Sequence, residues 1–104
     1  SHDGLWEWDL RSGSIYASER CRATVGLPAE GALDIHLWRT TMHEDDLDAV
    51  RRALDDARGT ADRAVEVEYR VRSHDGEFRW VLARGMGVAN DGGPVQRLVG
   101  SLSD

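Results

Sequence analysis

The chain has one cysteine, Cys21, so no disulfide can close within it. A lone thiol suits a reducing compartment, and the cytoplasm is the expected location. No stretch approaches the roughly 18 consecutive apolar residues of a membrane helix. No secretory signal is visible, so direct membrane insertion is not expected. Positive charge is also short: 13 Lys and Arg against 19 Asp and Glu leave a net charge of −6. The basic residues are scattered, which argues against a nucleic-acid partner. Internal repeats and low-complexity segments are absent. So are a Gly-x-Ser-x-Gly elbow and any constrained Ser/His/Asp or Cys/His spacing. Gly85-Met86-Gly87 lacks the third glycine of a dinucleotide loop and no helix follows it. No catalytic residue is assigned, and the fragment is not expected to be an enzyme.

What is present fits one domain spanning 1–104, expected to be cut from a longer protein. Its 104 residues are 40% hydrophobic, enough for a core. Leu5 to Leu10 alternates, with Trp6, Trp8 and Leu10 on one face, and predicts a strand. Arg11-Ser12-Gly13 is a turn, and Ser14 to Ala17 a returning strand. Ser18 is placed to cap a short helix from Glu19 to Val25, which Gly26-Leu27-Pro28 stops. Ala29 to Thr41 is irregular, with one or two helical turns and Leu33, Ile35, Leu37 and Trp38 as buried anchors.

The strongest helix runs from Glu44 to Arg58. Leu47, Val50, Leu54 and Ala57 form its stripe, and Gly59 is placed to end it. Then the period becomes two. Over Ala64 to Arg72, residues Val65, Val67, Tyr69 and Val71 point one way, with alternating charges opposite. His74-Asp75-Gly76-Glu77 carries an Asp-Gly hairpin signal. Phe78 to Val88 is a second long strand, with Phe78, Trp80, Leu82, Met86 and Val88 on one side. Gly85 and Gly87 lie opposite, marking a bend or close approach. Asn90-Asp91-Gly92-Gly93 is another hairpin turn, and Pro94 to Leu102 the last strand. Strands at both ends with helices between predict an α+β domain with helices on one face of an antiparallel sheet.

Four stretches, in order and at matching separations, resemble the PAS domain with its C-terminal PAC half. They are "DGLWEWDLRSGSIYAS" (3–18), "MHEDDLDAV" (42–50), "VEYRVRSHDGEFRWV" (67–81 with Glu66 before it in the same motif) and "GGPVQRLVGSLSD" (92–104). Members usually read His-Pro-Asp-Asp where this chain has His43-Glu44-Asp45-Asp46. The resemblance implies a five-stranded antiparallel sheet of order 2-1-5-4-3. It also implies a sensory or relay module without catalysis of its own, working beside an output domain such as a diguanylate cyclase, phosphodiesterase or histidine kinase. That domain would follow Asp104, the expected signal-output residue, and the module would form a homodimer.

The same resemblance implies a ligand or cofactor between sheet and helices. Light-sensing members carry the flavin cysteine in Asn-Cys-Arg-Phe-Leu-Gln, whereas Cys21 stands in Glu-Arg-Cys-Arg-Ala-Thr. Haem-binding members place an axial histidine on the long helix, and Glu44 to Arg58 has none, which leaves His36 or His43 to reach. No haem or flavin is predicted. His2 and His74 look like terminus and turn residues. A pocket for an unknown small molecule would be lined by Leu37, Trp38, Val50 and Leu54 from the helices and by Val67, Tyr69, Trp80 and Leu82 from the sheet. Tyr69 is its polar contact. Trp6 and Trp8 are expected to meet the open sheet face or an N-terminal helix. "MHEDD" invites a metal, yet consecutive side chains at a helix start diverge, so none is predicted. His43 or Thr41 is expected at the cap, with the three acids facing unpaired backbone N–H groups of the first turn.

Overall fold

In the computed structural model, which describes residues 3–73 and 75–104, the period-two stretches become one antiparallel sheet and the period-3.6 stretch lies across it. The elements are β1 (Gly4–Asp9), β2 (Ser14–Ala17), α1 (Glu19–Thr24), β3 (Leu33–Asp34), α2 (Ile35–Arg39), a 3-10 turn (Glu44–Asp46), α3 (Leu47–Gly59), β4 (Val65–Arg72), β5 (Phe78–Ala89) and β6 (Val95–Ser103). The sheet order is β3-β2-β1-β6-β5-β4. Without β3 it is the expected five-strand order. The sixth strand is two residues long, because Leu33 and Asp34 pair with Ile15 and Ser14 at the outer edge of β2. His2 and His74, read as terminus and turn residues, lie outside the described residues.

Local chemistry explains the ends. Ser18 Oγ accepts from Cys21 N (3.2 Å) at the start of α1, and Asp34 Oδ1 accepts from Leu37 N (2.9 Å) at the start of α2. Between β5 and β6, Asp91 and Gly92 both have positive φ (53° and 72°), and Gly93 N donates to Asn90 O at 3.0 Å. Two left-handed central residues make the hairpin turn whose twist matches its strands.

The expected single helix from Glu44 is divided. Its first three residues form the 3-10 turn, and α3 begins at Leu47. His43 is the cap: its Nδ1 accepts from Asp45 N at 3.1 Å. The segment from Thr41 to Asp46 then runs along the free edge of β4. Arg72 N donates to Thr41 O (2.9 Å), His43 N to Arg70 O (2.9 Å), and Arg70 N to Asp46 Oδ2 (2.8 Å). An edge strand's unpaired backbone groups are thereby satisfied within the chain.

The largest correction concerns β5. Its buried residues belong to the Val81–Ala83–Gly85–Gly87 phase, whereas Trp80 is 55% exposed and Phe78 and Met86 also face out. The hairpin register decides this. Tyr69 stands opposite Val81, Val67 opposite Ala83 and Val65 opposite Gly85, and residues directly opposite share a face. The inward phase is small because other groups fill the space. A Cβ on Gly85 would meet the Trp6 ring at 2.8 Å, and one on Gly87 would strike the Ala57 carbonyl of α3. Trp6 and Trp8 therefore face the helical side, not the open face expected for them. Trp6 Nε1–H donates to Ser101 O at 3.1 Å. Leu37, expected as a buried anchor, is 40% exposed: Asp34 caps α2 so that Trp38, not Leu37, turns inward.

The core joins Ile15, Ala17, Cys21, Val25, Leu27, Leu33, Trp38, Val50, Tyr69, Val71, Val81 and Leu102. Cys21 is fully buried, and burial pushes its thiol up to about 12, so it remains protonated as a small core residue. No helix among the described residues is long and apolar enough to cross a membrane.

Candidate functional site

Between the inner sheet face and the helices lies a cavity of about 70 Å³. Strands β1, β2, β4, β5 and β6 supply Trp6, Trp8, Ile15, Val67, Tyr69, Ala83 and Leu102. The helical side supplies Ile35, Trp38, Met42, Val50 and Leu54. The alternation of β1 and β4 aims Trp6, Trp8, Val67 and Tyr69 at the same volume, and the stripe of α3 closes it with Val50 and Leu54.

Of the eight sequence-selected residues, the structure brings Trp38, Val50, Leu54, Val67 and Tyr69 around this cavity. Leu37 is exposed on α2, Trp80 is exposed on the outer sheet face, and Leu82 is half-buried on that same face. Sequence reasoning assigned Trp6 and Trp8 elsewhere. The signal that places them is their pairing, Trp6 with Ala17 and Trp8 with Ile15, which carries them to the buried side of β2. Ile15, Ile35, Met42, Ala83 and Leu102 were also missed. Nothing in their local pattern separates a cavity wall from ordinary core.

The polar groups around the cavity are few. Trp38 Nε1–H donates to Tyr69 Oη at 3.3 Å. Burial pushes the Tyr69 hydroxyl up to about 12, with the Trp38 bond pulling the other way, so the phenol stays neutral. Trp8 Nε1–H is buried and finds no acceptor among the described residues. Buried polar atoms in folded proteins almost always have partners, so this one needs an explanation. Among the described residues no three His, Cys, Asp or Glu side chains converge as a metal-ligand set. In "MHEDD", His43 Nδ1 is engaged by the backbone and both Asp46 oxygens by Arg70.

That Asp46–Arg70 contact was not anticipated. Arg70 donates from Nε (2.9 Å) and Nη2 (2.8 Å) to the two carboxylate oxygens, a bidentate pair. The bonds from Arg70 hold the Asp46 carboxyl below the usual carboxylate range despite the opposing effect of burial. The same guanidinium lies 4.9 Å from the centroid of the Trp80 ring. The contact thus joins the start of α3, across the β4 edge, to the outer sheet face. At the chain's end, Asp104 Oδ2 lies 3.6 Å from Arg79 Nη1, and Arg79 Nη2 donates to Thr24 O at 2.9 Å.

Comparison with known proteins adds the following. A family model described as the PAS fold matches residues 14–102. The chain is 30% identical over 97% of its length to the Non-motile and phage-resistance protein of Caulobacter vibrioides, of which it spans 12%. Among solved structures, it is 30% identical to a sensory box histidine kinase/response regulator from Burkholderia thailandensis. That likeness covers 99% of this chain and 76% of the other, with a TM-score of 0.79. The N-terminal domain of a diguanylate cyclase with PAS/PAC sensor from Marinobacter aquaeolei superposes with a TM-score of 0.84. It covers 98% of this chain and 94% of that one, and at 24% identity it supports the fold alone.

Proposed function

The chain belongs to the PAS fold family, of sensory, non-catalytic modules, and from that premise we propose that it senses a small molecule in the cavity and passes the change to an output domain. The observation that carries this reading is the position of Leu102. It forms part of the cavity wall, and its strand β6 ends one residue later, at Ser103. β6 lies between β1 and β5, so a change at the wall reaches both halves of the sheet. A ligand moves such a module only by binding one of two states more tightly. Expected outputs are a cyclic-di-GMP enzyme or a histidine kinase joined beyond Asp104, with the module in the cytoplasm.

The size of the cavity supports a compact ligand. Ligand pockets for drug-sized molecules run to about 300–1,000 Å³. A volume of about 70 Å³ suits a body of a few heavy atoms. The test is native mass spectrometry of the purified domain, with an absorption spectrum. A retained small molecule without a Soret or flavin band supports the proposal. A cofactor band would replace it with a cofactor-sensing reading.

A second reading has its own observation. Leu5 (59% exposed), Tyr16 (63%) and Trp80 (55%) stand on the outer sheet face with Phe78 and Met86. Exposed apolar patches of this kind mark association surfaces. Under this reading the module is a ligand-free homodimeric relay. Sedimentation showing a dimer, together with no stabilisation by any metabolite in a thermal-shift screen, would favour it over the first.

A further inference from the structure

We propose that the molecule sensed is a small organic carboxylate, with a compact apolar body in the cavity and its charge held at the mouth by Arg58 and the Trp8 indole N–H. This deepens the ligand-binding reading above and depends on it. A second recess, of about 360 Å³, shares Trp8, Ile35, Met42, Val50 and Leu54 with the cavity, so the two adjoin. The outer recess is charged. Arg39, Arg51 and Arg58 line it with Asp48 and Asp55, three cations against two anions, in a chain whose net charge is −6.

The charges at this mouth are unevenly matched. Arg51 is engaged by both acids, at 3.4 Å to Asp48 and 3.7 Å to Asp55. Arg39 and Arg58 have no carboxylate partner among the described residues. Arg58 sits over the Trp8 ring, 5.5 Å from its centroid. Trp8 is the residue whose buried N–H has no acceptor. One indole thus brings together a donor without an acceptor and a cation without a carboxylate partner. A planar carboxylate has two oxygens and one charge, and it meets both needs where a neutral acceptor meets only the first. The apolar walls exclude charge from the inner chamber, which leaves the mouth as the place for the anion.

The experiment is calorimetric titration of the domain with butyrate and isobutyrate, each beside its neutral amide. The acids are expected to bind about tenfold or more tightly than the amides. Arg58→Gln is expected to remove that advantage and leave amide affinity unchanged. Trp8→Phe, which keeps the ring and deletes the N–H, is expected to weaken acid and amide alike. Arg52→Gln, an exposed substitution on the same helix away from the mouth, is expected to change neither. Amides binding as tightly as acids, or Arg52→Gln acting as strongly as Arg58→Gln, would overturn the carboxylate inference and leave ligand sensing intact. No binding of either acids or amides at millimolar concentration would overturn the carboxylate inference, and ligand sensing would then stand or fall on the native mass spectrum.

Discussion

The two faces of β5 carry opposite kinds of residue, and the bulkier kind is on the outside. Inward stand Val81, Ala83, Gly85 and Gly87, and outward stand Phe78, Trp80, Leu82 and Met86. A rule that large apolar residues go inside would reverse them. The governing quantity is local volume. Trp6 from β1 and the backbone of α3 already fill the inner space over Gly85 and Gly87, so the sheet offers them glycine. Among the described residues the outer face has no such occupant, and size there is unconstrained. One face is closed by complementarity, and the other is left exposed.

Overfilling the closed face should produce the largest effect. Gly87→Val places side-chain atoms against the Ala57 carbonyl, a backbone group that cannot swing away. A loss of about 3 kcal/mol or more is expected in urea denaturation, at or beyond the upper end of overpacking costs. A variant within about 0.5 kcal/mol of the parent would show that the two layers can separate cheaply. Next comes Tyr69→Phe. It removes a buried hydroxyl and leaves Trp38 Nε1–H without its acceptor. The expected cost is about 1–3 kcal/mol. A double-mutant cycle with Trp38→Phe should recover part of that cost, because the double variant leaves no orphaned donor.

Much of this contrast was written in the sequence. The alternation of Val65 to Val71 gave the inward face of β4, and the spacing of Leu47, Val50, Leu54 and Ala57 gave the inward stripe of α3. The face of β5 was legible too, but only through β4. Arg72 pairs with Phe78 across the loop, so once Arg72 faces solvent Phe78 must as well. Reading β5 by its own side chains led to Trp80 and Leu82 as cavity residues. The Asp46–Arg70 pair could not be read at all, since 24 residues separate the partners. Helix-start chemistry alone accounts for an acid at position 46. The unpartnered Trp8 N–H is likewise invisible without coordinates.

The seam between the two faces should respond less strongly. Asp46→Asn keeps the shape but loses the charge that answers Arg70, which is partly exposed, so solvent screening limits the cost to a few degrees in Tm. Its pH signature is more telling. The Asp46 carboxyl is held below its ordinary value in the folded state. Its contribution is therefore fully present above about pH 4, the ordinary carboxylate value, and is lost as pH falls through the lower folded value. The difference in Tm between parent and variant should shrink as pH is lowered below about 4. A difference that stays constant to strongly acidic pH would mean that the charge of Asp46 contributes nothing.

The smallest expected effect tests whether the open face is merely uncovered or is a surface for association. Trp80→Ala removes the ring over which Arg70 lies, at 4.9 Å, while Arg70 keeps both bonds to Asp46. An exposed cation–π contact contributes about 0.5–1 kcal/mol, so monomer stability should fall by no more than that. Association should respond differently. A large aromatic at the centre of an interface is the kind of residue whose truncation costs 2 kcal/mol or more in binding. A sedimentation series on parent and variant separates the two effects. Weakened self-association with near-parental Tm would show that outward bulk on β5 serves a partner. Unchanged association would show that this face takes large residues only because nothing stands above it.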